Sequence, residues 1–198
     1  MAIKPDSLIE RECIGEKYPL SFYQKRPNIV AQKLLGSIVV SKNKLCIIIE
    51  TEAYFGDCDP GSRASKYKGG RIRKRLFGEP GRFLVYGMHG WLLTNIVAHE
   101  EGKGGAVLIR SCLSEDGDLI EGPGKVSKFL EISMVHDGLK IGDNGSPVIT
   151  CGYEPRRIAR LYRVNVKVDF DKPLRYACSD VFRPRTYRPE RLVSFTLC

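Results

Sequence analysis

The sequence predicts a single mixed α+β domain spanning residues 1–198. Three features carry that expectation. Apolar runs of strand length, rich in Val and Ile, recur along the chain between Gly-, Asn- and Pro-containing turns. Only two segments keep helical spacing, and strands follow strands without the regular helix between them that βαβ units need. A chain of 198 residues, 42% hydrophobic and 28% charged, is long enough to bury a substantial core and has the balance of a globular protein.

Taken in order, residues 1–19 read as polar and irregular. Residues 27–36 read as a short helix: Val30, Ala31, Leu34 and Leu35 fall on one face, and Gly36 is placed to cap its C-terminus. Strands are expected at 37–40 and 45–51, joined by the turn-forming Ser41-Lys42-Asn43-Lys44. Residues 56–81 read as a loop rich in Gly, Asp and Pro. Further strands are expected at 82–86, 92–97, 106–111, 158–168 and 192–197. A helix is expected at 126–132, after Gly122-Pro123-Gly124-Lys125. No internal repeat or low-complexity segment interrupts this pattern.

The formal net charge is +9, which points to a polyanionic partner. No apolar run approaches the ~18 residues of a membrane span, and the N-terminal MAIKPDSLIERECIG lacks the apolar segment of a signal peptide. Seven cysteines with no CxxC pair read as reduced, mostly structural thiols in an intracellular protein, with no call for zinc.

The chemistry-bearing stretch is Cys46-Ile47-Ile48-Ile49-Glu50-Thr51-Glu52-Ala53-Tyr54. Strand alternation puts Glu50 and Glu52 on one face and Thr51 on the other. Two carboxylates beside an isoleucine run are either solvated at a strand end or perturbed and available for acid–base work. Residues 66–75 are dense in lysine and arginine, with two glycines and a tyrosine. They are either a solvated linker or a phosphate-binding loop that positions without reading sequence. Tyr86-Gly87-Met88-His89-Gly90-Trp91 reads as a hairpin tip whose Met88 and Trp91 either fold into the core or enter a gap between base pairs. Arg110 ends an apolar strand and gains interest if it faces the glutamates.

Together these residues resemble the alkyladenine (3-methyladenine) DNA glycosylase family. The resemblance rests on Glu50–Tyr54, Phe77-Gly78-Glu79-Pro80-Gly81, Tyr86–His89, Ala106–Arg110, Gly122–Val126 and Lys172-Pro173-Leu174-Arg175-Tyr176, with Ala31–Gly36 upstream. It runs in order over about residues 20–196. It implies a single domain with a curved antiparallel sheet and a DNA-intercalating hairpin, which flips damaged purines out of duplex DNA and hydrolyses their N-glycosidic bond. Glu52 would be the general base that activates water, and Arg110 would help to hold that water. Tyr54, Arg63, Ala64, Tyr86 and Asn95 would line the base pocket. Met88 and His89 would fill the space left by the flipped nucleotide. Lys68, Arg71, Arg73, Lys74, Arg75 and Lys125 would hold the DNA backbone. Glu50 would be a structural partner of the site. No cofactor or metal is implied. The partner would be double-stranded DNA containing damaged purines, met by a monomer in a DNA-associated compartment, with no membrane contact. No lysine nucleophile accompanies the motif, so a free base and an abasic site are the expected products.

Arg63 stands where the family carries a histidine. Its fixed charge would disfavour cationic lesions such as 3-methyladenine and 7-methylguanine and shift preference towards hypoxanthine or ethenoadenine. A non-catalytic nucleic-acid binding module of related fold is the main alternative, and loss of Glu52 or Arg110 would have favoured it. A hydrolase of free nucleosides or nucleotides is a second alternative, but it would have no use for so extended a basic surface.

Overall fold

The computed structural model describes residues 8–66 and 69–197. Its centre is β3 (Lys44–Phe55), flanked by β6 (Gly105–Ser114) on one side and β12 (Arg175–Cys178) on the other. The antiparallel order extends through β5 (Trp91–Val97) to β4 (Phe83–Met88) at one edge and to β10 (Ile158–Leu161) at the other. β2 (Ile38–Ser41) doubles back on the first half of β3 and pairs with β8 (Val148–Thr150), and β7 (Leu119–Glu121) pairs with the end of β6. Nine strands thus form one curved, half-barrel sheet. Two small ribbons stand apart from it: β1 (Leu8–Glu10) with β9 (Tyr153–Pro155), and β11 (Val168–Phe170) with β13 (Arg191–Val193).

β3 is covered on both faces, so its isoleucine run is continuous rather than alternating, and Cys46, Ile47, Ile48 and Ile49 are all buried. Helix α2 (Pro27–Lys33), which follows the short α1 (Leu20–Tyr23), lies on one face. Pro27 opens it at a position where a missing N–H costs nothing. Val30, Ala31, Leu34 and Leu35 are buried, and Thr51 Oγ1 donates to the Ala31 carbonyl at 2.8 Å. That bond fixes which way the strand faces: Thr51 looks at α2, and Glu50 and Glu52 look away from it. Helix α5 (Pro123–Phe129) packs near β5 on the same side, with Thr94 and Ser127 hydroxyls 2.8 Å apart.

Several expected elements are redrawn. The strand expected at 45–51 continues to Phe55, so the two glutamates sit within it, not at its end. The loop at 56–81 contains α3 (Arg63–Lys66) and α4 (Arg71–Leu76). Lysine and arginine are good helix formers, and ion pairs described below hold α4 in place. The run at 158–168 breaks into β10 and β11, with Asn165 in the left-handed region at φ 59°. At the C-terminus, β13 is followed by a 3-10 turn at Phe195–Leu197. The expected helix at 126–132 begins three residues earlier, at Pro123.

The expectation of reduced cysteines is overturned in part. Cys13 and Cys151, 138 residues apart in sequence, form a disulfide with Cα atoms at 5.7 Å, and Cys58 is disulfide-bonded as well. Backbone bonds Gly15 N–H to Cys151 O (2.8 Å) and Cys151 N–H to Glu16 O (2.8 Å) bring the N-terminal segment alongside β8 and β9. A cysteine count cannot reveal such a juxtaposition. Cys46, Cys112 and Cys178 are free and buried. Cysteine usage therefore no longer argues for a reducing compartment.

Candidate active site

Glu52 is fully buried at the floor of a cavity of about 550 Å³. Both of its oxygens are held: Oε1 accepts from the Val164 backbone N–H at 2.8 Å, and Oε2 from the Tyr54 hydroxyl at 2.8 Å. The Arg110 guanidinium stands 3.5 Å from Oε1. A carboxylate offers about four acceptor positions, so these contacts leave room for a water on a carboxylate whose orientation is already set.

A register shift in the β3–β6 pairing around Glu50 aims these groups. Ile48 pairs with Cys112, Glu50 with Ser111 and Thr51 with Ile109. Such irregularities redirect side chains, and they recur next to functional sites. Here Arg110, whose side chain is 14% exposed, falls between Glu50 (3.6 Å) and Glu52 (3.5 Å). Burial pulls the Arg110 guanidinium down, but Glu52 and Glu50 outweigh it and hold it above its ordinary value. Glu50 is further bound by Ser111 Oγ at 2.5 Å and Arg175 at 3.2 Å. Burial pushes its carboxyl up, against the opposing pull of Arg110, Ser111 and Arg175. Glu50 has no place in the cavity lining; it anchors the two arginines.

Tyr54 and Tyr86 both line the cavity. Burial raises the phenol of each, Tyr54 well above its ordinary value, so both stay neutral hydrogen-bonding rings. Arg163 lies over the Tyr54 ring, 4.7 Å from its centroid. That guanidinium is fully buried and binds Asp59 through two bonds (2.6 and 2.8 Å) and Asp169 at 2.5 and 3.1 Å, and it donates to the Ala53 carbonyl at 3.0 Å. Gly61 is close enough that a Cβ there would meet the Arg163 guanidinium at 2.6 Å, so only glycine lets this loop pass.

Arg63 is half-buried in the cavity wall with its guanidinium 5.1 Å from the centre of the Tyr86 ring. Asn95, nearly fully buried, also lines the wall and donates to the Leu84 carbonyl at 3.1 Å. Ala64 does not reach the cavity; it packs behind it with Leu76, Leu84, Val97 and Ala106. Met88 and Trp91 are paired at the end of the β4–β5 hairpin, with His89 (φ 50°) and Gly90 (φ 79°) between them. Two positive φ values in a two-residue loop make a type I′ turn, the twist-matched hairpin connection. His89 is exposed and Met88 half-buried, and both border the cavity. Trp91 is 45% exposed and rests on Gly124, where a Cβ would come within 2.7 Å of the ring. The hairpin tip is thus supported from beneath and is not folded into the core.

The basic run separates into two kinds of residue. Arg71 (2.5 Å) and Arg75 (3.0 Å) are paired to the buried carboxylate of Asp137, and Arg73 to Asp57 at 2.6 Å. Lys74 is exposed on α4, and Lys125 is exposed on the cavity rim. Lys68 lies outside the described residues. Among the described residues no group of three His, Cys, Asp or Glu side chains is placed to hold a metal ion.

The family model for methylpurine-DNA glycosylase matches residues 21–181. The chain belongs to that family. Similar curated proteins carry the name "Putative 3-methyladenine DNA glycosylase". The one from Aeropyrum pernix is 44% identical over 176 residues, covering 82% of this chain and 90% of its own length. The Bacillus subtilis relative is 35% identical over 170 residues, covering 75% and 84%, and that of Rickettsia felis is 30% identical over 172, covering 83% and 94%.

Within this member of the family, sequence reasoning passes over Asp59, Arg163, Val164 and Asp169. Val164 acts through its backbone N–H, which no side-chain pattern reveals. Arg163 lies inside a stretch that reads as continuous strand. Arg175 belongs to a family motif with no role attached; the β12–β3 register sets it across from Glu52, and its side chain reaches Glu50 at 3.2 Å.

Proposed function

We propose that this glycosylase-family chain takes a damaged purine nucleotide out of duplex DNA into the 550 Å³ cavity and hydrolyses its N-glycosidic bond. The observation that carries this reading is Glu52: a buried carboxylate with both oxygens oriented by donors and Arg110 alongside, at the floor of a cavity walled by two tyrosines. C1′ is shielded in the stacked duplex, so the nucleotide must leave the stack for water to reach it. Tyr54 and Tyr86 supply stacking faces, each worth ~1–3 kcal/mol per base. Glu52 removes a proton from water as the water oxygen bonds to C1′. The C1′–N9 bond breaks, and its electron pair leaves with the base. Arg110 holds the water's position and balances the charge at Glu52. His89 and Met88, on a turn braced by Trp91, occupy the vacated space in the stack. Lys74, Lys125 and Lys68 contact phosphate. The products are a free base and an abasic site.

The test is base release from duplexes each carrying one hypoxanthine, ethenoadenine or 7-methylguanine, with alkaline cleavage to reveal abasic sites. Release from at least one duplex is expected. Tight, salt-sensitive binding with no release from any of them would favour a non-catalytic binding module. Lys66 and Lys125 border the cavity, so borohydride should be added during turnover. A hydrolytic enzyme leaves no trapped protein–DNA adduct, whereas a lysine nucleophile would leave one.

Arg63 narrows the substrate class. It lies over Tyr86 in the wall, so a guanidinium plane is available to stack on a base. Its permanent charge repels a cationic methylated purine and favours the electron pair gained by a neutral leaving purine. Arg63→His is expected to raise the rate on 7-methylguanine relative to hypoxanthine by about tenfold, the effect of removing ~1.4 kcal/mol of like-charge repulsion. An unchanged ratio in single-turnover rates on the two duplexes would overturn this role.

A further inference from the structure

The family match ends at residue 181, yet the next ten residues run past Arg175, the buried partner of Glu50. They read Phe182-Arg183-Pro184-Arg185-Thr186-Tyr187-Arg188-Pro189-Glu190-Arg191, and residues 182–189 adopt neither helix nor strand. This segment is nevertheless fixed at several points. Phe182 is buried, the Arg175 guanidinium donates to the Arg185 carbonyl, and the same guanidinium lies 5.3 Å from the centre of the Tyr187 ring. Beyond it, the Glu190 and Arg191 N–H groups donate to the Lys167 carbonyl at 2.8 and 3.1 Å, and β13 pairs with β11. Pro184 and Pro189 lock their own φ angles. The result is a strap tied at its middle to Arg175, which itself binds Glu50 at 3.2 Å.

What the strap presents outward is cationic. Arg183, Arg185 and Arg188 are exposed, residues 182–189 contain no acid, and among the described residues none of the three side chains has an acidic partner. The contrast with α4 decides between them as phosphate ligands. Arg71, Arg73 and Arg75 are each committed to an aspartate, so a phosphate would have to compete for them, whereas the strap arginines are unengaged. The backbone from residue 183 to 188 spans at most ~18 Å, a length over which three guanidiniums can meet successive phosphates of one strand. A nucleotide whose C1′ reaches Glu52 brings its own flanking phosphates to the cavity mouth.

We propose that Arg183, Arg185 and Arg188 form a phosphate clamp for the DNA strand that carries the lesion, held beside the active site by Arg175 through the Arg185 carbonyl and the Tyr187 ring. This rests on the chain acting on DNA, and it adds a backbone-binding element outside the part of the chain that matches the family.

The test is the salt dependence of binding of the full-length protein to an undamaged duplex, measured for wild type and for Arg183→Ala/Arg185→Ala/Arg188→Ala. The slope of log K against log salt should become shallower by ~0.9 for each phosphate that is no longer neutralised, up to about 2.7 for all three. The lysine triple, Arg183→Lys/Arg185→Lys/Arg188→Lys, keeps the charge and should retain most of the slope, which separates phosphate binding from misfolding. A slope in the alanine triple equal to that of wild type overturns the clamp, as does a lysine triple no better than the alanine triple. Base release is scored separately at saturating enzyme. Its absence in wild type would defeat the glycosylase reading while the slopes still judge the strap.

Discussion

Glu52→Gln is expected to reduce single-turnover base release by ~10²–10⁴-fold, the range associated with loss of one general base, while leaving lesion-duplex binding near its wild-type value. Glutamine has the volume of glutamate, and its two terminal atoms suit the existing partners unequally. The Val164 N–H can only donate, so the amide oxygen must face it, at the place of Oε1. The amide NH₂ then points at the Tyr54 hydroxyl in place of Oε2, and that hydroxyl can turn to accept. Arg110 keeps Glu50 as an ionic partner. The buried Tyr54 O–H then loses its acceptor, a cost to stability of about 1–3 kcal/mol, but no cavity opens, so a loss of release with binding intact isolates the missing base. Binding is read by fluorescence anisotropy on a hypoxanthine duplex and release by alkaline cleavage. A variant within tenfold of wild-type release would remove Glu52 from its role.

Residues whose function lies in their own side chains are legible in the sequence. The isoleucine run and the Glu50-Thr51-Glu52 alternation require two carboxylates on one face, and the Thr51–Ala31 bond shows that face turned from α2. His89-Gly90 announces its hairpin because tight two-residue loops need positive φ. Three kinds of information stay hidden. Local composition cannot show that Asp137, more than 60 residues from α4, neutralises Arg71 and Arg75, so the basic run reads as freer than it is. Pattern cannot show that Ile158–Phe170 breaks to put a backbone N–H on Glu52, since Tyr162-Arg163-Val164 continues a strand-like alternation. Spacing cannot pair Cys13 with Cys151. In each case the deciding interaction spans a long sequence separation and is set by how distant segments pack, not by neighbouring residues.

Arg163→Ala is expected to cost ~3–5 kcal/mol of stability, the range for removing one partner from a buried ion pair. The reason is what remains. Asp59 and Asp169 are both fully buried, and both are ligands of this single guanidinium. Backbone donors offset part of the loss: Asp59 also accepts from Phe55 N–H (2.9 Å) and Gly61 N–H (2.8 Å), and Asp169 from Phe170 N–H (2.8 Å). Those bonds do not remove the repulsion between two uncompensated carboxylates in a dry site, so the variant either protonates them or unfolds more readily. For a slope of about 2 kcal/mol per molar urea, a loss of about 4 kcal/mol moves the unfolding midpoint by ~2 M. Arg163→Lys should recover only part of it, because one ammonium cannot reproduce the fork that spans both aspartates and the Ala53 carbonyl. The same fork ties together the backbone between Glu52 and Tyr54, the loop leading to Arg63 and the residue before Val164. The lysine variant, where it stays folded, should therefore lose base release beyond what its folded fraction explains. A shift below ~0.5 M in the alanine variant would mean that the two aspartates find other partners and that Arg163 does not hold these three segments in register.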